Sequence, residues 1–440
     1  MPSGKKSALI VLTLLPVVVV SGILYREMTT IPLLDDYNAI LAFLLHLQKL
    51  PTFGDKLLYI VTAQHNDYKL IFEHMVVAVQ FSLMHYSSFG FLIIFGNLFL
   101  FLLLIIYWNQ YFANGYDLLR RLVLFLPISY LIFQLNFAEM INWAMSGLQN
   151  LAVVIFSLAS ILFLTRSSSS RKTFAMACFC MALACMTSAN GFLLAPIGML
   201  IFFQQRNYKK MVVWSVLTPI LLAMYFYQYV RIEGASTSPL YAKALFFLSF
   251  LGGGIENMHH FPIKYASVIL GAIILFTFGH SIRTRYDLAH PFAFYSAMWI
   301  FLTAALVADV RSSYGIAQSL SGRYKLYCDL LLVFCYGYAV HRFTIRPAAS
   351  RMGRRLYAVT LASVILFSAA SDVVGYKFLV RRRERLEAGV KFYRANPAGN
   401  SPMLSPDDRP LKDFGDLPEM MRIQLNQAIE RGIYTLPPPR

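Results

Sequence analysis

Long apolar runs organise this chain. Charged residues gather in short stretches, and most of the segments between them run for about 18–22 apolar residues, enough to cross a bilayer core. The runs lie near 7–25, 87–108, 122–136, 147–165, 173–187, 191–204, 211–229, 262–281, 290–309, 326–343 and 355–374. In lipid each backbone group must be paired within its own segment, so such runs read as helices. They lack a period of two, which argues against an outer-membrane barrel. The expected fold class is all-α: a polytopic integral membrane protein with about eleven transmembrane helices. Composition agrees, with 58% hydrophobic and 14% charged residues, where a soluble domain carries roughly a quarter charged.

The net charge of +17 would point to nucleic acid in a soluble protein. Here no basic patch falls on a soluble segment, so the expected partner is the lipid bilayer and not nucleic acid. Lys and Arg mark cytoplasmic helix ends. Lys5 and Lys6 precede the first run, and Tyr25-Arg26-Glu27 follows it with no small-x-small cleavage pattern. The reading is a retained first helix with a cytoplasmic N-terminus. Arg120-Arg121 and the loops Arg166–Lys172, Arg206–Lys210, Arg283–Arg285 and Arg342–Arg355 fall on the same side. Eleven crossings place the tail 376–440 outside, although Arg381-Arg382-Arg383 then sits against the charge bias. The expected organisation is a membrane domain, 1–375, with long outer loops at 26–86 and 231–261, followed by an extramembrane tail. Cys178, Cys180, Cys185, Cys328 and Cys335 lie within the runs and read as small apolar residues.

The first outer loop is unusual. It holds an expected helix at 37–50, then Pro51, then Gln64–Lys69, then an apolar helix at 70–85 bearing Glu73, His74 and His85. Placing three such groups in hydrocarbon is costly, so these helices are expected at the outer interface. Other polar residues fall on the same side. Glu139, Asn142 and Trp143 lie where the third run meets the fourth. Glu256 and His259 follow a triple glycine, and Arg311, Arg323 and Lys325 flank the ninth and tenth runs. Folded together, these loops would form a polar cavity at the membrane surface, suited to a substrate with a lipid tail and a polar head.

Asp35-Asp36 could supply a general base with its partner, within hydrogen-bond reach of an acceptor hydroxyl, or bind a divalent cation. The alternative is a cap for the helix that starts at Tyr37. His65, Asn66, Asp67, Lys69 and Glu73 fit a sugar or phosphate, or else a helix cap with interfacial anchors. Arg311, Arg323 and Lys325 fit a phosphate, which arginine binds through a bidentate fork. Glu139, Asn142 and Trp143 could face a sugar, while Trp equally belongs to an interfacial aromatic belt. Glu256 with His259 reads as an acid–base or metal pair, or as a solvated loop. No cofactor is indicated and no metal motif is evident; a divalent cation stays an open alternative.

This arrangement resembles the GT-C superfamily of membrane glycosyltransferases, and more closely bacterial serotype-converting O-antigen glucosyltransferases and related envelope sugar transferases. Asp35-Asp36-Tyr37, Gln64–Lys69 with its following helix, Phe137–Gln149, Ser188–Pro196 and Ser321–Tyr324 carry the resemblance. It implies a multi-pass protein of the bacterial inner membrane with its active site facing the periplasm. The donor would be a polyprenyl-phosphate-linked sugar, and the acceptor an envelope glycan or lipid such as lipopolysaccharide. Asp35 or Asp36 would be the base, and one of Arg311, Arg323 and Lys325 would neutralise the leaving phosphate, in a reaction without a metal. Two rival classes are a transporter or flippase for a lipid-linked or anionic substrate and a non-catalytic subunit of an envelope complex. Against the transporter stand nearly all-apolar mid-span positions and the lack of an internal repeat.

Overall fold

The computed structural model describes residues 3–112, 116–166, 170–231, 238–255, 261–343, 351–395 and 417–438. The first outer loop follows α1 (Ser3–Glu27). It comprises a π-helical turn (Tyr37–Ala42) continuing into α2 (Phe43–Leu47), then α3 (Phe53–Thr62), the strands β1 (Gln64–His65) and β2 (Tyr68–Lys69), and α4 (Ile71–Met84). Next come α5 (Phe89–Gln110) and α6 (Leu118–Ile132), which breaks into a 3₁₀ turn (Leu135–Phe137), the short α7 (Ala138–Ile141) and then α8 (Ala144–Arg166). The second half holds α9 (Arg171–Thr187), α10 (Leu194–Gln204), α11 (Tyr208–Phe226), α12 (Leu240–Leu251), α13 (Phe261–Arg283) and α14 (Tyr286–Ala289). It ends with α15 (Pro291–Arg311), α16 (Ile316–Ser319), α17 (Gly322–Phe343), α18 (Arg351–Ala395) and α19 (Leu417–Glu430).

The protein is an all-α membrane protein, with 84% of the described residues helical. Among the described residues, eight segments are long and apolar enough to cross a bilayer: 6–27, 89–110, 118–141, 144–166, 208–226, 265–283, 291–314 and 353–395. Three runs expected to cross do not meet that standard. The first two, α9 and α10, are 17 and 11 residues long and separated at Ser188, which is extended at φ −162° and ψ 151°. The third, α17, has the length but carries Arg323, Lys325, Asp329 and Arg342. As expected, the helices of the first outer loop are too short to span.

The bundle is organised around α8, whose Leu148, Ala152, Leu158 and Ile161 are all buried. It packs chiefly on α5 and α9. By contrast, α11 exposes Val212, Val216 and Ile220, and α13 exposes Ile269, Ile273 and Phe276, the apolar surface that lipid would cover. Small residues let α12 and α13 touch along their backbones. A Cβ on Gly271 would lie 1.9 Å from the Leu248 carbonyl oxygen, and the Ser249 and Ser267 hydroxyls meet at 2.9 Å.

The tail does not hang free of the bundle. The boundary drawn at 375/376 falls inside α18, a continuous helix of 45 residues. Beyond it, α19 packs on the π-helical turn of the first loop. The Tyr434 hydroxyl donates to the Thr30 carbonyl at 2.9 Å, and the Ser87 N–H donates to the Ile433 carbonyl at 2.6 Å. The arginine triplet is explained by the same packing. The Arg383 guanidinium pairs with the buried Glu27 carboxylate, at the end of α1, at 2.7 Å. Arg382 donates to the Glu139 carbonyl at 3.1 Å. Protein partners therefore hold these cations at the same end of the bundle as the first loop.

Candidate functional site

The two adjacent aspartates have different environments. Asp36 is 1% exposed. Its carboxylate accepts from the Leu33 N–H at 2.9 Å, the Trp143 indole N–H at 3.1 Å and the Met145 N–H at 3.0 Å. Met145 lies in the first turn of α8, so Asp36 caps that helix from far away in sequence. It gives no side-chain cap to its own helix. Burial pushes its carboxyl from 3.8 up to about 7, outweighing the bonds from Leu33 and Met145. The Asp35 side chain is 35% exposed, and its Oδ1 lies 3.5 Å from Nε2 of the buried His65. Asp35 is therefore the open carboxylate and Asp36 the anchored one.

His65 is presented by the β1–β2 hairpin, which pairs Gln64 with Lys69 and His65 with Tyr68. Its two-residue turn is Asn66-Asp67, with Asn66 at φ 49°, the positive value that tight hairpins need. The Asn66 amide lies 3.0 Å from His65 Nε2, and the Tyr68 ring packs edge-on to His65 at 5.7 Å. The hairpin is pinned to the chain just past α11. Gln64 exchanges hydrogen bonds with the Val230 backbone at 2.6 and 3.0 Å, and the Tyr229 hydroxyl donates to the Asp67 carbonyl at 2.7 Å. The Lys69 ammonium donates to the Tyr227 carbonyl, and the Lys69 N–H meets the Tyr225 hydroxyl at 3.2 Å. Lys69 thus fastens the hairpin down, and burial lowers its pKa. Asn66 and Asp67 are exposed at the tip.

Tyr68 is where the separate segments meet. Burial raises its phenol pKa; the Asp35 and Glu73 carboxylates push it the same way, while Arg323 and Arg311 pull it down. Asp35, Glu73, Arg311 and Arg323 therefore share one electrostatic neighbourhood, although they come from the first loop and from the region joining α15 to α17. Arg323 also interacts with Glu139. The Glu139 carboxylate accepts the Gly322 N–H at 3.1 Å, which ties the break between α6 and α8 to the start of α17. Trp143 is engaged by Asp36. Asn142 is fully buried with neither amide atom hydrogen-bonded. Lys325 acts on the buried Asp329 carboxylate. Glu256 and His259 lie outside the described residues.

Two acids within the expected runs matter more than their apolar surroundings implied. The Asp329 carboxylate lies 3.4 Å from the Asn136 amide, which also donates to the Gly254 carbonyl at 2.7 Å. The Asp372 carboxylate accepts the Leu135 N–H at 2.8 Å. With Arg382, they hold the irregular backbone of 133–143 inside the bundle, where a break in a helix must find partners. The sequence signal was a lone acid in an otherwise apolar run. These polar groups are occupied in supporting that break, so they do not by themselves mark a transport path.

Among the described residues, no group of three or more His, Cys, Asp or Glu side chains is placed to share a metal ion. A cavity of about 390 Å³ lies at the opposite end of the bundle, lined by Gln110, Tyr111, Arg166, His290 and His341 among others, away from Tyr68. Comparison with known proteins finds no match to the chain among family models, curated proteins or solved structures.

Proposed function

We propose that the protein is a GT-C-type glycosyltransferase of the bacterial inner membrane, with about eleven crossings, a cytoplasmic N-terminus and a periplasmic site. It moves a sugar from a polyprenyl-phosphate-linked donor to an envelope glycan or lipid. One observation carries this reading: the half-open carboxylate Asp35 and the cations Arg311 and Arg323 act on the same Tyr68 phenol. A base for a hydroxyl thus shares an electrostatic neighbourhood with a counter-charge for a phosphate.

In this reaction Asp35 takes the proton from the acceptor hydroxyl as its oxygen attacks the anomeric carbon. The bond from that carbon to the phosphate oxygen breaks, and the lipid phosphate leaves with the electron pair. Arg323, with Arg311 beside it, stabilises the developing charge. The buried His65 holds Asp35 in position. Asp36 fixes the local backbone and takes no part in proton transfer.

The test is transfer of a labelled sugar from a polyprenyl-phosphate donor by membranes carrying Asp35→Asn, Asp36→Asn or both. Asp35→Asn is expected to lower transfer by about 10²–10⁴-fold, the usual contribution of a general base, at unchanged protein level. Normal transfer by a well-expressed Asp35→Asn protein overturns the assignment.

A further inference from the structure

We infer that Glu73 is a substrate-binding residue of the same site, acting as a neutral acid whose carboxyl group both donates to and accepts from a substrate hydroxyl. The inference rests on the sugar-transfer reading above. Glu73 stands in the first turn of α4, only 1% exposed, and neither carboxyl oxygen has a hydrogen-bond partner in the protein. Burying a polar group without a partner opposes folding, and burying an unpaired charge opposes it far more strongly.

The charges acting on Glu73 make ionisation worse. They are the Asp36 and Asp35 carboxylates, both of its own sign. Burial first, and then these two groups, hold the Glu73 carboxyl well above the ordinary range. Its position is not remote from the open side. Glu73 lies four residues past the end of the hairpin at Lys69 and acts on the Tyr68 phenol together with Asp35, Arg323 and Arg311, so it belongs to the same electrostatic neighbourhood. Asn142, next to Trp143, is a second fully buried side chain with both polar atoms unpaired. Two neutral groups, each able to donate and accept, suit sugar hydroxyls, which do the same.

Three variants of the full-length protein in native membranes decide it. Glu73→Gln keeps a neutral donor and acceptor of nearly the same shape. Glu73→Leu keeps the volume without either, and Asp35→Asn removes the base. Transfer should remain close to wild type in Glu73→Gln and fall about 10- to 100-fold in Glu73→Leu, the effect of losing a hydrogen bond to substrate. Infrared difference spectra of wild type against each variant, taken above about pH 8 where Asp36 is ionised, should show a protonated carboxylic acid that persists in Asp35→Asn and is missing in Glu73→Gln. A merely structural role predicts that Glu73→Leu transfers normally. Loss of transfer in Glu73→Gln, normal transfer in Glu73→Leu, or no such band in wild type overturns the inference. Transfer that survives Asp35→Asn sinks the base instead, and the Gln and Leu pair still decides Glu73.

Discussion

The Trp143 indole N–H donates to the Asp36 carboxylate at 3.1 Å, joining residues 107 positions apart. This contact locks the first outer loop onto the start of α8, the most central helix of the bundle. It also separates the two aspartates. With Asp36 held by three N–H donors, Asp35 is the carboxylate left towards the open side.

The anchored aspartate makes stability depend on pH. Its carboxyl pKa is raised from 3.8 to about 7, mainly by burial, so the folded protein keeps a proton that the unfolded chain releases. The stabilisation is complete at low pH and is lost as pH rises through about 4–7. Wild type should melt at a lower temperature at pH 8 than at pH 5 in detergent, by an amount corresponding to no more than about 4 kcal/mol. Asp36→Asn should flatten this dependence while lowering stability at pH 5. An equal slope in both proteins would contradict the assignment.

Glu27 and Arg383 form a contact with little solvent around the carboxylate. The side chain of Glu27 is 1% exposed and that of Arg383 22%, with the two joined at 2.7 Å. Arg26 also approaches Glu27, at 3.3 Å, but its side chain is 73% exposed, so losing Arg383 leaves the buried carboxylate with only a solvated partner, at a cost of up to about 3–5 kcal/mol. Arg383→Ala should therefore lower the unfolding temperature strongly. The double variant Glu27→Leu with Arg383→Leu should recover much of the loss, because an apolar pair leaves no stranded charge. Thermal unfolding of the two proteins checks this, and a double variant as unstable as Arg383→Ala alone would refute it.

Gly322 sits where a side chain would collide with the site. A Cβ there would come 2.6 Å from Glu139 Oε2 and 2.8 Å from Glu139 Cβ. Gly322→Ala should displace Glu139 and turn the start of α17, shifting the neighbouring Arg323. Transfer should fall by about tenfold or more, since small misplacements of charged groups are costly in catalysis. Expression and melting temperature should change less than activity. Normal turnover in this variant would show that the contact has room to relax.

The membrane character of the chain was legible because it rests on local quantities. Run length and apolarity decide whether a helix can lie in lipid, and these found α5, α8, α11, α13 and α15 within a few residues. The short helices Tyr37–Leu47 and Ile71–Met84 were legible for the same reason. The runs that became α9, α10 and α17 were legible too, including the break at Ser188 between the first two; what the apolar average did not bring out is how short α9 and α10 are and how Asp329 is held within α17.

Only the tertiary structure decided which polar residues work together. Asp35 and Asp36 are neighbours of the same residue type, and nothing local says that one caps α8 while the other faces His65. Lys69 and Lys325 look like site cations in the sequence, yet one is tied to the Tyr227 carbonyl and the other acts on Asp329. The tail carries no motif, but Tyr434 reaches Thr30 across 404 positions. Helix formation in lipid depends on short-range pairing, which the sequence displays. The position of a charge in a pocket depends on long-range packing, which sets burial and neighbours and therefore protonation.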